Sequence, residues 1–328
     1  MRALILGGTR FIGPRVIHRL VAQGHTVTVF HRGSTRPSAS PLPGGVEHIL
    51  GDRTRMSEHT EALRALRPDV VVDMFAMTER DARGLVDVFG GSGVRVVVAS
   101  SEDVYRARDR LCLAQPGPPD AVPLSEDAPL RELRFPYRAL ATGSDDARHD
   151  YDKIPVEEVA LRELAATVLR LPAVYGPGDY QHRVFEYLKP MLEGKDAIPM
   201  DETLARWRWT RGFVEDVAHA IVLAATDPRA AGRVYNVGEE DALAEAEWAE
   251  SIGRAFGWRG RVVPTPRAAL PPDLAAEAAK YDFTQDWRID TRRIRRELGF
   301  HELASRDHAM RETVAWQMAH PPVPAAGA

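Results

Sequence analysis

Short apolar runs alternate with segments of helical hydrophobic spacing along this chain. Runs rich in β-branched residues predict strands at 2–6, 25–30, 70–75, 94–99, 166–171 and 233–237. Between them, apolar residues at helical spacing predict helices at 14–22, 57–66, 79–89, 153–164 and 214–224. Because the strands are apolar almost throughout, helices must cover both faces of the sheet. The pattern therefore predicts an α/β fold with a doubly wound parallel sheet.

Charge and cysteine content narrow the class of protein. The chain has 328 residues, of which 44% are hydrophobic, and its formal net charge is −4. Acidic and basic residues are mixed, so no basic surface is available for nucleic acid. Cys112 is the single cysteine, and no run approaches the roughly 20 apolar residues of a membrane span. The first residues lack the long apolar region of a signal peptide. We expect a cytoplasmic protein without membrane or nucleic-acid partners.

A glycine turn follows the first strand and leads directly into the first helix. It consists of Gly7, Gly8, Thr9, Arg10, Phe11, Ile12 and Gly13. Glycines let the backbone approach a pyrophosphate closely, and the helix N-terminus offers free N–H groups and the positive end of its dipole. The strand, the turn and the helix together predict that these seven residues bind a dinucleotide.

The turn GGTRFIG resembles the opening of the extended (atypical) short-chain dehydrogenases/reductases of the NAD-dependent epimerase/dehydratase type. The family pattern is GxxGxxG, and Arg10 replaces its middle glycine, as in the subgroup that resembles chloroplast stem-loop-binding proteins. The resemblance implies a Rossmann domain, which we place at 1–172 and 213–238. A smaller C-terminal substrate lobe would then comprise 173–212 and 239–320, and 321–328 is predicted to be a disordered tail.

The residues after the second strand bear on the choice of cofactor. An acidic residue there would bond the ribose hydroxyls of NAD, whereas this chain has His31 and Arg32. Arg10 and Arg32 can together clamp a 2′-phosphate, because guanidinium groups pair well with phosphate oxygens. We therefore predict NADP, with NAD as the alternative. The resemblance implies further cofactor contacts from Asp52, Phe75, Ala76, Lys153, Pro172 and Val174.

The catalytic residues are expected after the strand predicted at 94–99 and at the start of the following helix. ASSEDVY, at 99–105, resembles the family segment whose serine polarises the substrate oxygen, and Ser101 holds that place. The family then uses Tyr-x-x-x-Lys, in which the lysine lowers the pKa of the tyrosine and the tyrosine moves the proton. Lys153 matches the lysine, but the residue four positions before it is His149.

Two residues can replace the missing tyrosine. His149 carries an imidazole, which titrates near neutral pH. In a regular helix Tyr151 and Lys153 would lie about 200° apart. Tyr151 can nevertheless reach the site if the helix begins near 152, and Asp152 and Pro155 favour that start because they suit the N-cap and the first turn. Loss of the redox chemistry is a third alternative.

Arginines and tryptophans follow in RWRWTRGFVEDVAHAI, at 206–221. The resemblance implies that Arg211 meets a substrate diphosphate, and Trp207 can stack on a base or a sugar. Glu102, beside Ser101, completes the predicted substrate contacts. The proline-rich stretch 105–149 is predicted to be a surface insertion and a candidate lid. No metal-ligand spacing is recognisable.

These features predict an NAD(P)-dependent oxidoreductase or epimerase that transfers hydride to or from a carbinol or ketone. The resemblance implies a nucleotide sugar or a related small molecule as the substrate. The alternative is an RNA-binding protein, or a cofactor-gated regulator, on a retained Rossmann scaffold. The acidic net charge opposes RNA binding, because phosphate contacts dominate RNA affinity. A homodimer and the direction of the reaction stay open.

Overall fold

A parallel seven-stranded sheet lies at the centre of the part of the chain that the structure, a computed structural model, describes, which is residues 1–33 and 41–323. In chain order, the strands are β1 (Arg2–Leu6), β2 (Thr26–His31), β3 (Glu47–Leu50), β4 (Val70–Asp73), β5 (Arg95–Ser101), β6 (Thr167–Leu171), β7 (Ala173–Tyr175), β8 (Ala197–Asp201), β9 (Arg211–Phe213), β10 (Val234–Asn236) and β11 (Arg261–Thr265). Seven of them pair in the order β10-β6-β5-β4-β1-β2-β3, and every neighbouring pair is parallel. The predicted doubly wound parallel sheet is confirmed.

Helices cover both faces of this sheet. In chain order, they are α1 (Ile12–Ala22), α2 (Thr60–Ala65), α3 (Glu79–Phe89), α4 (Arg106–Leu111), α5 (Lys153–Leu164), α6 (Phe185–Leu192), α7 (Glu202–Arg206), α8 (Val214–Thr226), α9 (Glu245–Phe256), α10 (Pro272–Ala278), α11 (Arg292–Leu298) and α12 (Arg306–Ala319). On one face α1 packs against α8, and on the other α3 packs against α5. The helical spacing of Val16, Ile17 and Leu20 explains why α1 buries one side only.

Two predicted helices show how capping sets their boundaries. α3 begins after Thr78, whose side chain accepts from the backbone N–H of Asp81, while the Asp81 carboxylate accepts from Thr78 N. The segment predicted as one helix at 57–66 is instead a 3₁₀ turn, Arg53–His59, followed by α2. Asp52 caps that turn by accepting from Thr54 N, so helical backbone begins earlier than the apolar spacing indicates.

Two short parallel pairs, β7 with β9 and β8 with β11, lie outside the central sheet. They come from the segments assigned to the substrate lobe. The main hydrophobic core nevertheless runs without interruption from Ile5 in β1 to Trp248 in α9. The division at 172, 213 and 238 stays a prediction, and residues 324–328 of the predicted tail lie outside the described residues.

The segment 105–149 is more deeply embedded than the surface insertion that its composition predicts. Tyr105 and Leu124 are buried with Ile154 and Ile289 in a separate hydrophobic cluster. The Tyr105 hydroxyl donates to Asn236 Oδ1 at 2.6 Å, which ties the segment to the last strand of the sheet. The prediction was wrong for this part because a few well-spaced apolar residues outweigh the many prolines and charges around them. The role as a lid stays a prediction.

The carboxyl ends of the sheet strands meet at one edge. Leu6 lies opposite Phe30 and Asp73, and Ser101 lies opposite Leu171. The order of the strands reverses at β1, between β4 and β2, and ligands of open α/β sheets bind in the crevice at such a point. The glycine turn, the end of β5 and the start of β7 all open onto this edge.

Candidate active site

The glycine turn is shaped as a close-approach cradle. Gly7 and Gly8 adopt φ angles of 83° and 82°, which side chains rarely tolerate. A Cβ on Gly13 would lie 2.1 Å from the Cα of Gly8, so the turn closes only because no side chain is present. The start of α1 therefore lies against the carboxyl edge of the sheet, where free N–H groups favour an anion. The residues present fit a dinucleotide pyrophosphate.

The residues beside the cradle carry mixed charges. Arg10 and Arg32 are exposed, and neither guanidinium is hydrogen-bonded within residues 1–33 and 41–323. His31 Nε2 lies 2.9 Å from His48 Nδ1, and burial and the neighbouring His48 lower the pKa of His31. Both causes favour the neutral imidazole of His31. Asp52 accepts from Thr54 N at 2.8 Å, and this bond lowers the pKa of its carboxyl.

The other predicted cofactor residues follow the strands of the same edge. Phe75 is 51% exposed after β4, beside Gly7. Ala76 is buried, and its carbonyl faces the active-site lysine. Pro172 lies between β6 and β7 and packs beside Gly212, and Val174 is buried in β7. Phe75 and Ala76 follow β4, and Pro172 and Val174 follow β6, so all four lie beyond the carboxyl ends of sheet strands. Their contact with a cofactor stays a prediction.

Lys153 joins the ends of two strands. Its Nζ donates to the carbonyl oxygens of Ala76 at 2.5 Å and of Ala99 at 2.9 Å. The side chain is buried, and desolvation lowers its pKa to about 8. The lysine stands in the first turn of α5, whose N-cap is Asp152, with its side chain accepting from Ile154 N at 3.1 Å. The predicted start of this helix at 152 or 153 is confirmed.

The two candidates for the proton-moving residue lie in different surroundings. The Tyr151 hydroxyl donates to Asp103 Oδ2 at 2.8 Å, and the backbone N–H of Asp103 donates to Ser101 Oγ at 3.2 Å. Lys153 Nζ lies 5.9 Å from the centre of the Tyr151 ring. The His149 side chain is 35% exposed, and its Nδ1 lies 2.8 Å from a carboxylate oxygen of the exposed Asp150. The fold thus brings together Ser101, Tyr151 and Lys153, and leaves His149 in the preceding loop.

Asp103 and Tyr137 were not predicted from the sequence, yet both contact this group. Asp103 is 4% exposed, and its Oδ2 accepts from Tyr137 as well as from Tyr151. The rings of Tyr137 and Tyr151 lie 5.2 Å apart. Asp103 could have been noticed as an acidic residue two positions after Ser101. Tyr137 carries no local signal, because it comes from the middle of the insertion.

Glu102 and Arg211 line the neighbouring wall and are linked by a tryptophan. Glu102 Oε1 accepts from Trp209 Nε1 at 2.6 Å and from Ala173 N at 3.2 Å, and burial raises the pKa of the Glu102 carboxyl well above its ordinary value. The guanidinium of Arg211 lies 5.0 Å from the Trp209 ring. Its Nη2 also donates to both carboxylate oxygens of Glu245, at 2.7 and 2.8 Å. The sequence reading missed Glu245 because it lies 34 residues away along the chain.

Trp207 occupies a different position from the one expected of a substrate contact. It is buried, and its Nε1 donates to the carbonyl of Gln285 at 2.8 Å. Its ring packs against Trp209 and Phe283. Its polar atom is thus used within the protein, and Trp209 is the tryptophan of this segment that contacts both Glu102 and Arg211.

Comparison with known proteins now decides the family. The model of the NAD dependent epimerase/dehydratase family matches residues 3–238. The chain belongs to this family. It is therefore an enzyme of the epimerase/dehydratase type, and the predicted resemblance is confirmed. Within the described residues 1–33 and 41–323 this family member has no cluster of side chains suited to a metal ion, and no helix there is long and apolar enough to span a bilayer.

Relatives and neighbours of this epimerase/dehydratase-family enzyme have several activities. It is 27% identical to 2'-dehydrokanamycin reductase of Streptomyces kanamyceticus over 286 residues, which cover 84% of this chain and 71% of the relative. It is 25% identical to the chloroplast stem-loop binding protein of 41 kDa b of Arabidopsis thaliana over 269 residues, which cover 78% of this chain and 64% of that protein. The Bordetella bronchiseptica enzyme WbmG, solved with NAD and UDP, superposes with a TM-score of 0.70 at 18% identity, covering 97% and 95%. The last likeness supports the fold, and the RNA-binding alternative stays a prediction.

Proposed function

We propose that this enzyme is an NAD(P)-dependent oxidoreductase that interconverts a ketone and a carbinol, with Tyr151 moving the proton. The observation that carries the proposal is that Asp103 links Tyr151 to Ser101: its Oδ2 accepts from the Tyr151 hydroxyl, and its backbone N–H donates to Ser101 Oγ. Lys153 lies in the first turn of the helix that begins two residues after Tyr151. These three groups have the chemistry that hydride transfer requires: a donor to the substrate oxygen, a proton carrier and a cation.

Each residue has a separate task in this proposal. Ser101 donates to the substrate oxygen and orients it, and Tyr151 gives that oxygen a proton or takes one from it. Lys153, held by the carbonyls of Ala76 and Ala99, is within the buried edge where it can hold the nicotinamide ribose. A bound nicotinamide cofactor would supply or accept the hydride at C4.

Variants of the two candidate residues test the assignment of the proton. Tyr151→Phe is expected to lower turnover of a ketone substrate by about 10²- to 10⁴-fold, the usual contribution of a positioned acid or base. His149→Ala is the matched control, because its ring bonds an exposed carboxylate, and it should change turnover by less than about twofold. A large loss in His149→Ala with retention in Tyr151→Phe would reverse the assignment.

NADP is the cofactor that we propose within the NAD(P) class. Arg10 and Arg32 stand exposed beside the cradle, and the neighbouring Asp52 has its Oδ1 bonded to Thr54. Two guanidinium groups favour a 2′-phosphate, and no acidic residue follows β2 directly to repel it. Parallel fluorescence titrations of the protein with NADPH and NADH test this choice. Tighter binding of NADPH supports it, equal or tighter binding of NADH overturns it, and binding of neither overturns the enzyme proposal itself.

The proposed substrate is a small polar carbonyl compound without a diphosphate, in preference to a nucleotide sugar. Arg211, the residue expected to meet a diphosphate, is 7% exposed, and Glu245 occupies its Nη2. Glu102 adds a second carboxyl to the same wall through Trp209. A diphosphate would have to bind beside the Glu102 and Glu245 carboxyl groups, and only Nη1 of Arg211 would be open to it, because Glu245 occupies Nη2.

Titration with UDP, followed by tryptophan fluorescence, tests this substrate class. The expected result is no saturable binding up to millimolar UDP, because Arg211 is already paired with Glu245. Glu245→Gln should then create or strengthen UDP binding by freeing the guanidinium. Tight UDP binding to the unmodified protein that is lost in Arg211→Met would instead establish the nucleotide-sugar hypothesis.

A further inference from the structure

Asp103 connects two phenols at the proposed catalytic centre. Its Oδ2 accepts from Tyr151 OH at 2.8 Å and from Tyr137 OH at 3.2 Å. Its backbone N–H donates to Ser101 Oγ at 3.2 Å, and its Oδ1 has no hydrogen-bond partner within residues 1–33 and 41–323. The carboxyl is nearly inaccessible to solvent. A buried carboxylate thus takes the hydrogen bond that the proposed proton carrier would otherwise give to substrate or water.

Buried arginine contacts keep this arrangement in place. Arg131 Nε donates to the backbone carbonyl of Asp103 at 2.6 Å, and its Nη2 donates to Asp152 at 2.9 Å. Asp152 is the residue directly after Tyr151 and caps the following helix. The Arg131 guanidinium therefore holds the backbone next to Tyr151 as well as the backbone of Asp103, its hydrogen-bond partner. Arg108 stacks on the other phenol, with its guanidinium 4.9 Å from the centre of the Tyr137 ring.

The charges around Tyr151 favour its protonated form. The groups that face its hydroxyl are Asp103, Tyr137 and Ser101, while Lys153 Nζ lies beside the ring. Burial, and then the Asp103 charge, raise the pKa of Tyr151 well above its ordinary value. The same two causes raise the pKa of Tyr137. A lysine alone would lower the pKa of a tyrosine, whereas burial and the Asp103 charge together raise the pKa of Tyr151.

We propose that Asp103 is a positioning residue that holds Tyr151 as a protonated acid, so that the enzyme is a carbonyl reductase and not an epimerase or dehydratase. This inference rests on the proposed function. In reduction, the carbonyl carbon accepts hydride from the reduced nicotinamide and the oxygen accepts the Tyr151 proton, which yields a carbinol and a tyrosinate that water then reprotonates. An epimerase or a dehydratase begins by oxidising a carbinol, for which the tyrosine must first be deprotonated.

Alkaline titration of the tyrosinate absorbance tests the inference without cofactor or substrate. Subtracting the Tyr151→Phe curve from that of the unmodified protein isolates one of the 8 tyrosines. An ordinary tyrosine ionises around pH 10, and we expect Tyr151 to ionise at a higher pH. Asp103→Asn should lower the midpoint of the Tyr151 ionisation by about one pH unit or more. Asp150→Asn, an exposed change next to Tyr151 in the chain, is the matched control and should leave the midpoint in place.

The outcomes of this titration are distinct. An Asp103→Asn curve that coincides with the unmodified one, or ionisation of Tyr151 below pH 9 in the unmodified protein, overturns the inference. If Asp103→Asn does not fold, Tyr137→Phe keeps the carboxylate, and the Tyr151 midpoint must then stay as high as in the unmodified protein. A failure to bind either nicotinamide cofactor would overturn the proposed function and leave this titration unaffected.

Kinetics provide the second readout. With a ketone substrate, Tyr151 should stay protonated in the unmodified enzyme between pH 6 and pH 9, so any change of kcat/KM in this range should follow Lys153, whose pKa is about 8. Asp103→Asn should make kcat/KM fall more steeply than in the unmodified enzyme, at least about threefold further by pH 9, and Asp103→Glu should restore the unmodified profile. A loss of activity in Asp103→Asn that is the same at every pH would indicate a merely structural role and overturn the inference.

Discussion

The cofactor end and the chemical end of the site lie on the same edge of the sheet but are built in opposite ways. The cofactor cradle is a single stretch, 7–13, whose shape depends on two glycine backbones that touch. The chemical end combines Ser101 from β5, Tyr137 from the insertion, and Tyr151 and Lys153 from the start of α5. Contacts between distant residues, such as Arg131 with Asp152, hold these segments together.

Because of this difference, we expect the two ends of the site to be damaged by different kinds of mutation. A cradle made by one turn should fail through a local steric change, since few distant groups support it. A centre assembled from several segments should fail through the loss of buried polar partners, because each orphaned group keeps its desolvation cost. The four changes below test this contrast, beginning with the largest expected effect.

Glu157→Gln, at the base of the chemical end, should cause the largest loss of stability. Glu157 pairs with Arg170 and accepts from Ser100 Oγ at 2.5 Å, and both charged side chains are buried. The change leaves the Arg170 guanidinium uncompensated, so the free energy of unfolding should fall by about 4 kcal/mol in chemical denaturation. Glu163→Gln, on the same helix but in exposed pairs with Arg83 and Arg162, should leave the free energy of unfolding nearly unchanged, because solvent screens exposed ion pairs. Equal losses would remove the contrast.

Gly13→Ala should damage the cofactor end by sterics alone. Its Cβ would lie 2.1 Å from Gly8 Cα, so either the turn or α1 must shift. We expect a loss of about 3 kcal/mol in stability, measured by thermal unfolding, together with loss of NADPH binding. Gly44→Ala is the control, because a Cβ there meets nothing within 4 Å. Unchanged NADPH affinity in a folded Gly13→Ala protein would contradict the cradle.

Lys153→Met removes the buried ammonium of the chemical end, and its effect on stability should depend on pH. The folded pKa of about 8 lies below the ordinary 10.5, so the unfolded chain binds more protons between these values. The cost of the buried ammonium is therefore full below pH 8 and disappears as pH rises towards 10.5. The stability of the variant relative to the unmodified protein should fall by about 2 kcal/mol from pH 7.5 to pH 10 in denaturant titrations. The exposed Lys195→Met should show no comparable change.

Arg32→Ser should have the smallest effect, confined to the outer rim of the cofactor end. Removing one exposed guanidinium should weaken NADPH about tenfold, equivalent to about 1.4 kcal/mol, and leave NADH unchanged. Arg10→Ser should act in the same direction in the same fluorescence titration. Arg259→Ser removes an exposed arginine of the distant lobe and serves as the control. Equal weakening of NADPH and NADH would show that Arg32 does not read the 2′-phosphate.

Features of the site that depend on neighbouring residues could be predicted from the sequence, and features that depend on distant contacts could not. Six strands of the central sheet, the fold and the start of α5 were accessible because apolar runs, caps and proline act over a few neighbouring residues. The short and mostly exposed β3 was given no bounds, because it lacks a continuous apolar run. The choice between His149 and Tyr151 was not accessible, since spacing alone placed the tyrosine on the wrong side of a regular helix. The backbone before the Asp152 cap turns the Tyr151 hydroxyl towards Asp103, which also contacts Ser101. Tyr137 and Glu245 could not be foreseen, because nothing near them in the chain indicates their partners.

By itself, the sequence determined the parallel sheet, the glycine cradle and the position of Lys153, because these depend on hydrophobic periodicity and on backbone freedom within one turn. Only the tertiary structure decided that a carboxylate holds the Tyr151 hydroxyl and that Arg211 is already paired with Glu245. The physical reason is that protonation and charge balance depend on which distant groups are buried together, and burial is a property of the packed chain.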